Sequence, residues 1–219
     1  MSISAKEALA QRFVKDFRLD QWANSLSDNY MSANRMYHGP HYVTNMLDNL
    51  EIVKHRITNV AAVKLAIWFH KAIYEGNQRH NQLKSISLFK SFAKDYKLDS
   101  STKKITMSMI FLTMLETKPE AFEVDNDHKL FLDLVNSIYA GRFVEYSISA
   151  YNYEREHHRV QGFKQKRIVF LLGKLSSPTI FFNTDLFPEI RAVENICWEL
   201  TRLDYKLACK LKLAVVVET

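Results

Sequence analysis

The chain is poor in cysteine, glycine and proline. Only 2 cysteines, 5 glycines and 4 prolines occur among its 219 residues. Cys197 and Cys209 lack the spacing of a metal-binding motif, so we expect buried thiols. The scarcity of glycine and proline favours long helices joined by short turns.

Long apolar runs are absent as well. No stretch approaches the roughly 18 apolar residues that a transmembrane helix needs, and no charged segment leads into an apolar one that ends in small residues, as a secretory signal would. The sequence therefore predicts a cytoplasmic protein without a membrane partner.

Charge is abundant but mixed. Lysine and arginine total 30 against 24 aspartates and glutamates, which leaves a net charge of +6. The densest basic stretch runs from Arg155 to Arg167, where Glu154 and Glu156 dilute the field and helical spacing would spread the cations over several faces. This pattern is more typical of solvated lysines than of a nucleic-acid partner.

Apolar residues recur at helical spacing along most of the chain, which predicts an all-α fold with a single helical domain. Helices are predicted at 5–22, 41–55, 60–74, 82–96, 101–115, 127–140, 145–157, 163–175 and 187–211. Gly39 and Pro40 suit the start of the second helix, because a proline at the first turn removes no intrahelical hydrogen bond. We expect residues 1–29 to pack as an N-terminal helix on a domain at 30–211, with a tail at 212–219.

One apolar run carries two adjacent basic side chains, His70 and Lys71. The residues that share a helical face with His70 are Val63, Ala66 and Ile67. This spacing places His70 on the buried stripe. A lone histidine there is more often a hydrogen-bonded core residue than a ligand, so the surrounding motifs decide how it is interpreted.

Several segments around this run share their order and spacing with a known family. They are RMYHGPHYV at 35–43, AIWFHKAIY at 66–74, NQLKS at 81–85, TKPE at 117–120 and FLDLVN at 131–136. In this order they resemble the predicted metal-dependent phosphohydrolases of the HD-domain superfamily, over most of residues 30–200. The family's corresponding patterns are R-x-Y-H-x-x-x-H, A-x-W-F-H-D-x-x-Y, N-E-x-x-S, T-x-x-H and F-L-D-x-D-L.

The departures from these patterns fall on the residues that the family uses for chemistry. Lys71 replaces an aspartate, Gln82 a glutamate, Glu120 a histidine and Val135 the second aspartate. Ungapped spacing from His38 places Tyr42 at the first metal histidine and leaves His41 one position early, while Asp133 matches the first aspartate. Val135 belongs to the predicted inward stripe of its helix, and Asp133 lies about 200° away around it.

The resemblance implies a helical site where histidine and aspartate hold divalent metals that activate water. An ammonium at the aspartate position reverses the sign of the interaction with a cation. Our leading hypothesis is therefore a catalytically degenerate HD protein without a cofactor, in which His41 and His70 are remnant metal ligands. Arg35, His38, Lys71 and Lys84 would bind a nucleotide or other phosphate ligand without hydrolysing it. Alternatively, Lys71 pairs with Glu120 and fills the former cavity.

Two other functions stay open from the sequence. A rearranged site could support a divalent-metal-dependent phosphohydrolase with Glu120 and Asp133 as catalytic groups, and the further ligands would come from His38, His41, His70 and either Asp127 or His128. A protein-interaction module is the third option. Its contacts would come from exposed tyrosines among Tyr146, Tyr151 and Tyr153, although such residues more often pack at the edge of a core.

Overall fold

The structure is a computed structural model that describes residues 3–75, 80–115, 124–176 and 181–210, with side chains up to residue 207. In these ranges it contains helices and no strand, which confirms the all-α class. The α-helices are α1 (Ala5–Phe17), α2 (Asp20–Tyr30), α3 (Pro40–Val53), α4 (Val60–Phe69), α5 (Asn81–Asp95), α6 (Ser100–Leu112), α7 (Asn126–Asn136), α8 (Phe143–His157), α9 (Phe163–Leu175), α10 (Glu189–Leu203) and α11 (Tyr205–Lys210). Short 3-10 helices follow α3 at Lys54–Arg56 and α7 at Ser137–Ala140.

The chain divides into two compact units, Met1–Phe131 and Leu132–Thr219. Helices α1 to α6 belong to the first unit and α8 to α11 to the second, while α7 begins in the first and ends in the second. The predicted tail at 212–219 lies outside the described residues.

The single helix predicted at 5–22 is wrong, because the chain breaks after Phe17. Arg18 adopts a left-handed conformation, with φ of 55°, and its backbone N–H bonds to the carbonyl of Val14. Such a residue ends a helix by turning the backbone out of its path. Residues 1–29 therefore contain α1 and most of α2, and α1 packs into the first unit, where the Phe13 ring lies edge-on to Trp68 at 5.1 Å.

Aromatic rings fill the core of the first unit. The buried rings of α1, α2, α4 and α5 include Phe13, Phe17, Trp22, Trp68, Phe69, Phe89 and Phe92. They come from α1, α2, α4 and α5, whose apolar stripes meet around α4. Because α4 is covered on nearly all sides, it is apolar almost throughout, and its C-terminal end carries His70 into the interior.

The second unit has its own core, to which α8, α9 and α10 contribute. Cys197 is buried there as a free thiol, which agrees with the sequence, whereas the side chain of Cys209 lies outside the described residues. Of the three tyrosines considered for partner docking, Tyr146 is buried, Tyr153 is half-buried and Tyr151 is exposed. None of the helices in the described ranges has both the length and the apolar character needed to cross a bilayer.

Candidate functional site

The candidate site lies at the C-terminal end of α4, and polar contacts fix the N-terminal end of the same helix. Asn59 caps the helix by accepting a hydrogen bond from the N–H of Ala62 at 2.9 Å. The Asp127 carboxylate accepts the preceding N–H groups of Thr58 and Asn59 at 2.9 and 2.6 Å. Both contacts satisfy donors that have no partner within the helix. Asp127, a metal ligand under the enzymatic alternative, therefore anchors the start of α4.

His70 lies at the other end of α4 with no exposed surface. Its Nδ1 is 3.1 Å from the carbonyl of Ala66 and 3.0 Å from that of Ile67, so this nitrogen carries the proton. Its Nε2 is 3.0 Å from the hydroxyl of Tyr42, which donates to the remaining lone pair. Both ring nitrogens are therefore used inside the protein.

The environment also keeps this ring neutral. Burial, followed by the nearby charge of Lys71, lowers the pKa of His70 to about 3. The edge of the Phe131 ring packs against the imidazole at 5.8 Å and adds an apolar neighbour. An imidazolium would lose its hydration here without gaining an anionic partner among these contacts.

The structure brings Tyr42, rather than His41, to His70. Helix α3 starts at Pro40, and His41 in its first turn is exposed, whereas Tyr42 is half-buried. The proposed pairing of His41 with His70 as remnant metal ligands is thus not found. Ungapped counting from His38 already indicated Tyr42 at this position, so the sequence contained the signal.

Arg35 was predicted to bind the phosphate ligand, and in the structure its guanidinium donates to backbone carbonyls. Its Nη1 and Nη2 donate to the carbonyls of Lys71 and Ala72 at 2.6 and 2.8 Å, and its guanidinium lies 5.0 Å above the Tyr30 ring. These bonds hold the turn that follows α4. The close approach of the chain to Arg35 also explains Gly39, where a Cβ would lie 2.6 Å from the Arg35 carbonyl oxygen.

Four rings next to His70 form what we call the aromatic cluster: Tyr37, His38, Tyr42 and Tyr74. His38 is its buried member and contacts the Tyr74 ring at 4.4 Å between centroids, while the three tyrosines are half-buried. Lys71, also half-buried, places its ammonium 5.6 Å from the Tyr74 centroid. The Lys71 ammonium therefore lies beside a tyrosine ring that is partly open to solvent.

The segment that follows is held by side chains of α5. Ser85 bonds to both the N–H and the carbonyl of Ile73 through its hydroxyl, and Asn81 accepts the N–H of Glu75 at 3.2 Å. Lys84, expected at the ligand site, forms an exposed ion pair with Glu75 at 2.6 Å. Gln82 is half-buried, and Glu120 lies outside the described residues, so its pairing with Lys71 stays a prediction.

Asp133 is fully buried in the second unit, although it lies off the apolar stripe of α7. Asn183 donates to it from its backbone and its side chain at 2.6 and 2.9 Å, and Thr184 does so from its backbone and hydroxyl at 2.9 and 2.6 Å. Burial raises the pKa of Asp133, against the opposing effect of these donors. The carboxylate thus anchors the 183–184 segment, while Val135, predicted to face inward, is only half-buried.

Within the described ranges no three histidine, cysteine, aspartate or glutamate side chains are grouped so that they could hold a metal ion. The fold and site therefore define a helical protein with a buried neutral histidine, a hydroxyl on its lone pair, and a lysine beside tyrosine rings. The chain matches no protein-family model, no curated protein and no solved structure.

Proposed function

We propose that this chain is a catalytically degenerate HD-domain protein that binds a phosphate-containing ligand, such as a nucleotide, without hydrolysing it. The observation that carries the proposal is the hydrogen bond from Tyr42 to His70 Nε2, because it takes the lone pair that a metal ion would need. The matching residues Arg35, His38 and His70 supply the link to the HD pattern, and Lys71 is the departure from it.

Metal-dependent hydrolysis is disfavoured by two independent features. A metal at His70 would first have to displace the Tyr42 hydroxyl, since Nδ1 already bonds to backbone carbonyls. The ion would also approach the ammonium of Lys71, whose charge acts on the same imidazole. Like charges a few ångströms apart repel by about several kcal/mol at an effective dielectric constant near 20.

Lys71 and the tyrosine rings of the aromatic cluster suit a ligand that carries both an anionic group and a flat ring. A lysine ammonium binds phosphate as a point charge with three donors, and Lys71 is positioned on the Tyr74 ring. The half-buried faces of Tyr37, Tyr42 and Tyr74 offer stacking surfaces, and stacking of a base on an aromatic side chain contributes about 1–3 kcal/mol. A nucleotide presents both chemistries in one molecule.

Calorimetric titration with inorganic phosphate, AMP and ATP, in a phosphate-free buffer containing EDTA, tests ligand binding. We expect at least one of these probes to bind the wild type and Lys71→Met to weaken it tenfold or more. Lys54→Met is the matched control, because Lys54 is an exposed lysine of the same unit that pairs with Glu51. Absence of binding by all three probes, or equal binding by Lys71→Met, would overturn the proposal.

Elemental analysis of the purified protein tests the absence of a catalytic metal. We expect no stoichiometric Mn, Fe, Ni or Zn in the wild type. The double variant Tyr42→His with Lys71→Asp restores two residue types of the HD pattern and should gain affinity for these ions. Stoichiometric metal in the wild type would favour the phosphohydrolase alternative. If the protein binds neither phosphate nor metal, the protein-interaction module is the hypothesis that remains.

A further inference from the structure

A second group of polar side chains lies in the first unit, apart from His70. The Nε2 of His128 is 2.7 Å from the hydroxyl of Ser108, and its Nδ1 is 2.6 Å from a carboxylate oxygen of Asp125. The two ring nitrogens of the histidine thus link the serine hydroxyl to the aspartate carboxylate in one chain of hydrogen bonds. This is the order of groups that activates a serine nucleophile, in which a base touches the hydroxyl and a third group orients the base.

Two members belong to helices, and the third directly precedes one. Ser108 belongs to α6 and is exposed, so an incoming molecule can reach its hydroxyl. His128 is in the first turn of α7 and has 9% of its surface exposed. Asp125 precedes α7 and accepts the backbone N–H of His128 at 2.9 Å through the oxygen that also contacts Nδ1. Backbone and side chain of His128 are therefore held by one carboxylate.

The proton positions follow from what each group can accept. A carboxylate oxygen only accepts, so Nδ1 of His128 carries a proton toward Asp125. In a neutral imidazole this leaves the Nε2 lone pair facing Ser108. The serine hydroxyl has a second acceptor, the carbonyl of Ile105 at 2.8 Å, which competes with Nε2 for its single proton. Rotation of the hydroxyl toward Nε2 gives the reactive arrangement.

We propose that Ser108, with His128 as general base and Asp125 as positioning residue, is a nucleophilic site that accepts acyl groups from carboxylic esters. The Ser108 oxygen forms a bond to the carbonyl carbon while its proton moves to Nε2 of His128. The bond to the alkoxide breaks, and the alkoxide takes that proton and leaves as an alcohol. Water then hydrolyses the acyl-serine and releases a carboxylic acid. The N-terminus of α7, where His128 lies, favours negative charge nearby.

A purely structural role makes a different prediction. An aspartate before a helix caps it by accepting an N–H, and Asp125 does this for α7. A cap alone needs neither the imidazole nor Ser108. The substitution Asp125→Asn separates the two roles, because an asparagine oxygen also caps a helix but lacks the negative charge that stabilises the imidazolium formed when His128 takes the serine proton.

Labelling with an alkyl fluorophosphonate tests the site in the full chain. Attack by Ser108 forms an oxygen–phosphorus bond, breaks the phosphorus–fluorine bond and passes the hydroxyl proton to His128 as fluoride leaves. Mass spectrometry of the intact protein and of its peptides should locate one label on Ser108. Ser87 is the internal control, because it is an exposed helical serine whose hydroxyl donates to the backbone carbonyl of Leu83 at 3.1 Å and, in the described ranges, contacts no imidazole.

We expect Ser108→Ala to abolish the label and Ser87→Ala to leave it unchanged. His128→Gln and Asp125→Asn should each slow labelling tenfold or more, while thermal unfolding shows that Asp125→Asn remains folded. The proposal is overturned if Ser108 reacts no faster than Ser87, or if His128→Gln reacts at the wild-type rate. Neither result depends on phosphate binding near Lys71.

Discussion

The two units each bury a polar centre, and the two centres handle charge in opposite ways. In the first unit His70 is neutral, with Tyr42 and backbone carbonyls as hydrogen-bond partners. In the second unit Arg167 and Glu199 form a buried ion pair, with side chains 6% and 2% exposed. Burial disfavours charge in both places, so the partners decide which centre keeps it.

The charged centre is saturated with matching groups. Glu199 accepts from Nε and Nη2 of Arg167 at 2.8 and 2.9 Å, and the hydroxyl of Tyr146 donates to it as well. The guanidinium also lies 4.4 Å from the ring centroid of Tyr153. A two-point Arg–carboxylate contact of this kind offsets much of the cost of dehydration. His70 has no anion among its hydrogen-bond partners and a lysine beside it, so it gives up its proton instead.

Breaking the charged centre should have the largest effect. We expect Glu199→Ala to lower the free energy of unfolding by about 3–5 kcal/mol, because it leaves the Arg167 charge buried without its anion. Urea unfolding at pH 7 measures this. Glu199→Gln, which keeps an acceptor but loses the charge, should fall between Glu199→Ala and the wild type.

The control for this comparison is an exposed ion pair. Glu51→Ala removes the partner of Lys54, and a surface pair contributes only about 0–1 kcal/mol. If Glu199→Ala destabilises the protein no more than Glu51→Ala does, the contrast between the two centres is not one of charge.

The neutral His70 should make the free energy of unfolding depend on pH. The pKa of His70 is about 3 in the folded protein, against about 6.5 in an unfolded chain, so between these values the unfolded state binds the extra proton. The stabilisation is fully present above about pH 6.5 and is lost as the pH falls toward 3, by at most about 1.4 kcal/mol per pH unit. His70→Gln should remove this component from unfolding curves recorded between pH 7 and 4.

The matched substitution is His41→Gln, at an exposed imidazole on α3. It leaves His70 in place and should therefore keep the wild-type dependence on pH. Identical pH slopes for His70→Gln and the wild type would mean that His70 is not the buried neutral group described here.

The smallest expected effect concerns the Tyr42 hydroxyl that contacts His70. Tyr42→Phe removes the donor to His70 Nε2 and should cost about 1 kcal/mol in the free energy of unfolding, the usual contribution of one hydrogen bond. Tyr151→Phe, at an exposed tyrosine of the second unit, should change it little. A wild-type value for Tyr42→Phe would indicate that another group satisfies the imidazole.

Much of the fold follows from periodicity. The starts of α3, α4 and α9 fall within one residue of their predictions, because Pro40 suits a first turn and the apolar spacing of α4 and α9 persists. The break at Arg18 was not predictable in the same way, since a left-handed arginine has no sequence signature comparable to that of glycine.

The site was predictable in composition but not in connectivity. The sequence placed His70 on a buried face and raised both Tyr42 and His41 as candidates beside it. Ungapped spacing from His38 pointed to Tyr42, but the contact itself is made by the rotation of α3 about its axis, a tertiary property. Glu199 on the apolar stripe of α10 was a visible signal of a buried charge, but its partner Arg167 lies 32 residues away, beyond any local pattern.

The amino-acid sequence by itself determined the helical class, the apolar faces and the residue types available near His70, because these depend on local spacing and side-chain chemistry. The tertiary structure decided which polar groups meet. It put a hydroxyl on His70, two backbone carbonyls on Arg35 and four donors on Asp133. Buried polar atoms must find partners, and those partners come from whichever segments packing brings within about 3 Å.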